Sequence, residues 1–213
     1  MNIFDGKNEK LAEGMSVLVE GKKISKIAKS ITAPKDATVI DGGGRTLMPG
    51  LIDAHYHVMM SEPTFPELLN SDISWLTLLG ARGARAALYR GFTTLRDVGG
   101  NPFAIKKAID RGMLEGPRIY PSGANISQLS GHSDGRHPAD PGTPIYLEKQ
   151  GAFRIADGVP DVIKAVREQL RAGATQIKLS VGGGVSSNYD PLDVSEYTFE
   201  EIKAAVDVAK TWN

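Results

Sequence analysis

The chain has 213 residues, and its 25 basic and 25 acidic side chains give a formal net charge of zero. That balance gives no electrostatic reason to expect binding to nucleic acid or to an anionic membrane. Cysteine is absent, which excludes disulfides and thiolate metal ligands, and no apolar run approaches the length of a bilayer span. The composition therefore predicts a soluble, cytoplasmic protein with neither a nucleic-acid nor a membrane partner.

Residues 1–46 carry short β patterns and no helical period. Residues 15–19 and 23–28 flank Glu20-Gly21-Lys22, which predicts a β-hairpin. Residues 37–40 form a third short apolar run, closed by three glycines, and predict a further strand. We expect a small β-domain over residues 1–46.

From Thr46 onward, strand patterns alternate with helix patterns, which is typical of a parallel sheet with crossover helices. The strands are predicted over residues 47–53, 92–97, 117–124 and 176–181. The helices are predicted over residues 72–90, after Asn101-Pro102, from Pro160, and from Thr198 to the end. This order amounts to about four βα units over residues 47–213, interrupted by a long connection over residues 125–158.

The last helix begins with a capping box, Thr198 with Glu201. Its apolar period predicts one contacting face, made of Phe199, Ile202, Val206 and Ala209.

The segment 49–57, Pro-Gly-Leu-Ile-Asp-Ala-His-Tyr-His, carries the strongest chemical signal. Side chains on a strand alternate between faces, so Asp53, His55 and His57 are expected on one side. Two imidazoles at this spacing can hold one metal ion, and imidazole suits zinc and related ions. The alternative is a pair of ordinary surface or core histidines, which a bare His-x-His would favour.

The whole motif Pro-Gly-Leu-Ile-Asp-x-His-x-His resembles the first barrel strand of the amidohydrolase superfamily. The resemblance implies a TIM (β/α)8 barrel, with residues 47–213 as its first half and residues 1–46 as part of a β-sandwich-like domain. It also implies a metal-dependent hydrolase that cleaves C–N bonds through a metal-activated water. The implied substrates are small amides, dipeptide-like molecules or cyclic amides.

Lys178 lies in an apolar strand pattern, where a charged amine is costly unless it is paired or modified. By resemblance to the imidazolonepropionase-like and Xaa-Pro dipeptidase-like branch, Lys178 is the lysine at the end of the fourth strand. There it would be N6-carboxylated and would bind, with His55 and His57, one or two divalent ions, zinc being the expected metal. The alternative is a lysine whose stem packs while its amine reaches solvent.

Three further features have weaker signals. His132, in the long connection, is implied by the resemblance to face the substrate, either polarising the scissile carbonyl or holding a carboxylate, and an exposed loop histidine is the alternative. His137 is expected to be exposed, and Asp97 is expected to cap a helix or form an ion pair. The run Gly182-Gly183-Gly184 lacks the end of a P-loop, so phosphate binding is a weak interpretation. In a metal site, the glycines would more simply let the backbone pass close to a ligand or substrate.

The resemblance also implies ligands that this sequence lacks, namely a histidine on each of the fifth and sixth strands and an aspartate on the eighth. We therefore expect residues 1–213 to be the N-terminal half of a longer enzyme. The alternative is a non-catalytic fragment or an assembly protein that keeps the fold. An open half-barrel would expose Leu47, Leu51 and Leu95, which predicts a homo-oligomer or pairing with a complementary C-terminal half.

Overall fold

A computed structural model describes residues 1–139, 142–187 and 189–212. The chain divides into two compact units, residues 1–50 and residues 51–213.

The first unit consists of short strands: β1 (Asn2–Ile3), β2 (Ser16–Glu20), β3 (Lys23–Ala28) and β4 (Thr46–Leu47). The strands β2 and β3 are antiparallel, which confirms the predicted hairpin, and Gly21 takes a left-handed conformation with φ 61° in its turn. The strand predicted over residues 37–40 is wrong. No strand within residues 1–50 pairs with it, and Val39 and Ile40 remain largely exposed.

The second unit contains two parallel three-stranded sheets. In the first, the order is β5 (Leu51–Tyr56), β6 (Phe92–Asp97) and β7 (Arg118–Pro121). In the second, β8 (Asn125–Ser127) lies between β9 (Phe153–Ile155) and β10 (Lys178–Leu179). The helices are α1 (Phe65–Asn70), α2 (Ile73–Tyr89), α3 (Phe103–Asp110), α4 (Tyr146–Lys149), α5 (Gly158–Ala172) and α6 (Phe199–Lys210).

Several predicted elements agree with the structure, and others need correction. The strand β6 and the helix α2 lie where they were predicted, and Asp72 caps α2 by accepting a hydrogen bond from the Trp75 N–H at 2.9 Å. The strand predicted over residues 47–53 begins at Leu51, because Pro49-Gly50 separates β4 from β5. The long connection is not structureless, since it contains β8, α4 and β9.

Two apolar clusters form the core of the second unit. One packs α2 and α3 against β6 and β7, and the other packs α5 and α6 against β8. Leu95 is fully buried in the first cluster, so its predicted exposure is wrong, whereas Leu51 is 42% exposed as predicted. The predicted face of α6 is correct at Ile202 and Ala209, which pack against the second cluster, and wrong at its other two residues. Ala205 and Val208 are buried, while Phe199 and Val206 are exposed.

The sheet order confirms the predicted α/β class with parallel strands. Within the described residues the strands form open sheets and do not close into a barrel. No helix in the described part of the chain is both long enough and apolar enough to span a membrane.

Candidate active site

His55 and His57 lie at the carboxyl end of β5. His55 is the second-last residue of the strand, and its backbone N–H donates to Asp53 Oδ1 at 3.0 Å. The two imidazole rings have centroids 5.4 Å apart and meet edge to face at 63°. The alternation of the strand thus brings both rings together.

His57 has an environment that favours its neutral form. Burial lowers its pKa, and the nearby His55, Lys178 and His132 lower it further, although the Gly99 backbone acts in the opposite direction. Its Nδ1 is buried and, among the described residues, lacks a partner with normal hydrogen-bond geometry. A neutral imidazole with an unused nitrogen is the form that binds a metal ion.

Asp97 ends β6, and its side chain contacts the backbone of the residue after His57. The predicted helix-capping role is wrong, because Pro102 occupies the N-cap of α3 and Asp97 is fully buried. Its Oδ1 accepts the Val58 N–H at 2.7 Å, which ties the end of β5 to the end of β6. Burial raises the pKa of Asp97 to about 7. The sequence offered one signal, an aspartate closing an apolar strand.

Lys178 begins β10 and pairs in register with Asn125 of β8, so both side chains lie on one face of the sheet. It is half-buried, and among the described residues its amine makes no hydrogen bond or ion pair. Asn125 is buried and accepts a hydrogen bond from Ser180 Oγ at 3.0 Å. Asn125 was missed because it opens a segment interpreted as a loop.

His132 lies in the loop after β8 and, together with Lys178, lines an open pocket of about 380 Å³. Its Nδ1 is 2.9 Å from Ser187 Oγ and 3.3 Å from Asp190 Oδ2. His137 is exposed, and its Nδ1 accepts the Ala139 N–H at 3.2 Å. The structure therefore brings His132, but not His137, to the pocket of Lys178.

The glycines of residues 182–184 permit close packing around this pocket. A Cβ on Gly183 would lie 1.9 Å from Pro191 O, and one on Gly184 would lie 2.1 Å from His132 Nδ1. Both distances are far below van der Waals contact. The glycines thus let the loops after β8 and β10 touch. The predicted close passage of this backbone to a ligand or substrate stays a prediction.

The donor set bears on the expected metal. In the described part of the chain, no group of three or more His, Cys, Asp or Glu side chains is arranged to hold a metal ion. His55 and His57 supply two imidazoles, and Lys178 is near enough to His57 to lower its pKa. Two imidazoles fit a divalent cation better than an anion or an apolar ligand.

Comparison with known proteins identifies the family of this chain. Residues 46–213 match the model of the amidohydrolase family. The chain belongs to the amidohydrolase family.

An ochratoxinase of Aspergillus niger is 36% identical over 180 residues, which cover 78% of this chain and 37% of that protein. The structure of a prolidase in complex with N-methylphosphonate-L-proline superposes with a TM-score of 0.90 at 36% identity, over 99% of this chain and 52% of that one. A Xaa-Pro dipeptidase with bound methionine gives a TM-score of 0.84 at 30% identity, over 99% and 53%. The amidohydrolase chain therefore spans about half the length of these solved relatives and just over a third of the ochratoxinase.

Proposed function

We propose that this amidohydrolase chain contributes the first part of a metal-dependent active site that hydrolyses C–N bonds in small amides or dipeptides. The observation that carries the proposal is the meeting of the His55 and His57 rings at the end of β5. Lys178 is near enough to lower the pKa of His57, which supports its inclusion in the site. The carboxyl ends of parallel strands are where active sites of α/β barrels lie.

The expected cofactor is one or two divalent metal ions, with zinc the natural partner of imidazole ligands. His55 and His57 would hold the ion through neutral nitrogens, and the lowered pKa of His57 favours that state. A bound divalent ion would supply a Lewis acid and an acidified water at neutral pH. Asp97 would hold the loop that follows His57 through the Val58 N–H, and so fix the direction of the imidazole.

Lys178 is proposed to act as an anionic oxygen ligand after carboxylation. The neutral amine adds carbon dioxide, forms an N–C bond and releases one proton, which leaves a carbamate. The half-buried position and the absence of an ion pair in the described residues leave the amine available for this reaction. The addition requires the neutral form of the amine.

His132 is proposed to contact the substrate in the pocket that it shares with Lys178. Loops at the carboxyl ends of parallel strands commonly carry such groups. The similarity to a prolidase complex and to a Xaa-Pro dipeptidase favours dipeptides with a C-terminal proline as the first substrates to test.

We also propose that the parallel strands are part of a TIM barrel and that residues 1–46 form part of a β-sandwich-like domain. The fit to solved amidohydrolase relatives over about half their length supports this assignment. The cytoplasmic location expected from the sequence remains a prediction.

A second possibility is a non-catalytic protein that keeps the fold for assembly. The observation that favours it is the absence, in the described residues, of three His, Cys, Asp or Glu side chains grouped around one metal position. Under this alternative the protein would bind no metal and would hydrolyse no amide.

The deciding experiment is a hydrolysis assay on the protein that carries residues 1–213, supplied with zinc and with Xaa-Pro dipeptides or cyclic amides. Turnover that is lost in a His55→Asn, His57→Asn double variant and kept in the matched His137→Asn variant would support the proposal. Turnover that survives the double variant would contradict the metal-dependent mechanism. The absence of both turnover and bound metal would favour the assembly alternative.

A further inference from the structure

The loop that carries His132 is held by two carboxylates from the segment after β10. Glu196 Oε1 accepts the His132 backbone N–H at 3.1 Å, and Glu196 is 3% exposed. Asp190 Oδ2 lies 3.3 Å from His132 Nδ1 and also accepts the Gly184 N–H at 2.8 Å. One carboxylate therefore fixes the backbone of His132 and the other faces its ring.

Asp190 is placed to accept hydrogen bonds only. Its side chain is 1% exposed, and its Oδ1 is buried without a hydrogen-bond partner among the described residues. Burial acts to raise its pKa, but hydrogen bonds from Ser187 and from the Gly184 N–H hold the pKa below its ordinary value. The carboxyl group is therefore ionised at neutral pH, and an ionised carboxylate has no proton to donate.

This arrangement decides which ring nitrogen carries the proton. If Nδ1 held a lone pair, that lone pair would face an anionic oxygen 3.3 Å away, which is repulsive. If Nδ1 carries the proton, the same contact is a charge-assisted hydrogen bond. The single hydroxyl proton of Ser187 can go to Gly184 O, 3.2 Å away, or to Asp190. In either case the serine oxygen can accept a hydrogen bond from Nδ1.

We propose that Asp190 is a positioning residue that holds neutral His132 as the Nδ1–H tautomer, which leaves Nε2 as a hydrogen-bond acceptor for a ligand. The ring is 31% exposed and borders the pocket of Lys178, so Nε2 is the nitrogen that remains for this purpose. The inference rests on the proposed function for its meaning in catalysis. If the proposal holds, the ligand group that hydrogen-bonds to neutral His132 must be an N–H or O–H donor, such as an ammonium or an amide N–H.

The consequence differs from the role expected from the sequence. A neutral Nδ1–H imidazole has no proton on Nε2 and cannot polarise a carbonyl or hold a carboxylate through that nitrogen. His132 could do either only in its protonated form.

The test is nitrogen-15 NMR of the chain labelled only at histidine, recorded at a pH where His132 is neutral. The sequence has four histidines, so single substitutions assign the spectrum. The expected result for His132 is a protonated Nδ1 and an unprotonated Nε2. A spectrum with the proton on Nε2 in the unsubstituted chain would overturn the proposal, and this measurement needs no variant.

Variants identify the group responsible. Asp190→Asn, which keeps the size of the side chain, should shift His132 towards a mixture of tautomers, because an amide can donate as well as accept. The matched control is Asp193→Asn, an exposed aspartate of the same segment, which should leave the spectrum unchanged. Ser187→Ala should also leave Nδ1 protonated. The same His132 signals in Asp190→Asn and in the control, or a tautomer change in Ser187→Ala alone, would overturn the role of Asp190.

The outcome is independent of turnover. A chain without hydrolase activity but with the Nδ1–H tautomer would contradict the proposed function and leave this inference standing. An active enzyme with the proton on Nε2 would support the proposed function and overturn this inference.

Discussion

Asp97 is fully buried, and among the described residues only one of its two carboxyl oxygens accepts a hydrogen bond. Its Oδ1 accepts the Val58 N–H, while Oδ2 is buried without a partner among the described residues. Burial penalises the charged form and raises the pKa from 3.8 to about 7. This carboxyl group therefore stabilises the end of β5 best when it is protonated.

The first prediction concerns Asp97→Asn. Between pH 3.8 and about 7 the folded state binds a proton that the unfolded state has released, so stability from this group falls as pH rises. The asparagine variant does not titrate and can still accept the Val58 N–H. Relative to the variant, the wild type should lose on the order of 1–3 kcal/mol between pH 4 and pH 8.

Denaturant unfolding at both pH values, with chelator present, checks this prediction. His57 titrates in both proteins, so its effect cancels in the comparison. An Asp193→Asn control should follow the wild type, since that residue is exposed. Parallel stability curves for the wild type and Asp97→Asn would contradict the raised pKa.

The second prediction concerns Lys178. Incubation with carbon-13 bicarbonate and zinc should give a carbamate carbon signal that disappears in Lys178→Ala. Lys164→Ala, which removes an exposed lysine on α5, should keep the signal. A carbamate signal unaffected by Lys178→Ala would show that the modified lysine is elsewhere.

The sequence predicted those site residues that belong to a recognisable local motif. The spacing of His55 and His57 follows from strand alternation, and Lys178 was noticeable as a charge in an apolar run. It gave Asp97 the wrong role and did not single out Asn125, because the contacts of both residues are with chain segments tens of residues away. Contacts between distant segments cannot be predicted from a local sequence pattern.

At the scale of elements, the loop after β10 decides how closely the site packs. A Cβ on Gly184 would lie 2.1 Å from His132 Cε1 and Nδ1, whereas one on Gly182 would lie 3.5 Å from Val194 O, an ordinary contact. Neither glycine has a left-handed φ, so the difference between them is one of space.

The third prediction follows from that difference. Gly184→Ala should displace the His132 ring and cost about 1–3 kcal/mol of stability, as overpacking typically does. Gly182→Ala is the matched control and should be nearly neutral. Thermal unfolding and the His132 NMR signals measure both effects. Equal behaviour of the two variants would show that the loops do not touch as described.

Helices and strands were predicted correctly where the local sequence signals agree with one another. The predictions failed where packing or pairing with distant segments determines the structure. The apolar period located α2, and the Thr198 capping box located the start of α6. The contacting face of α6 was only partly correct, because the cluster that α6 shares with α5 buries Ala205 and Val208 and leaves Phe199 outside. The strand over residues 37–40 failed because a strand needs a neighbour to pair with.

At the scale of the whole molecule, apolar surface is the main feature. On β5, Leu51 and Ile52 are 42% and 68% exposed, and on and after α6, Phe199 and Trp212 are 73% and 55% exposed. Large exposed apolar side chains in such number mark association surfaces or an aggregation liability. The parallel strands and the helix order were predictable from the sequence, whereas the exposure of these residues required the packed structure.

The fourth prediction is that residues 1–213, expressed alone, associate rather than remain monomeric in dilute solution. Light scattering coupled to size exclusion measures the mass. A Phe199→Ser, Val206→Ser variant should associate less, because it removes apolar surface, whereas Glu200→Gln on the same helix turn should not. A monodisperse monomer of the unsubstituted chain would contradict the prediction.

The most direct test of the central claim, that His55, His57 and Lys178 form a divalent-metal site, is the metal content of the purified protein after equilibration with zinc. Elemental analysis should find bound zinc in the wild type and in His137→Asn, a marked loss in Lys178→Ala, and none in the His55→Asn, His57→Asn double variant. Zinc retained at the wild-type level by the double variant would contradict the claim.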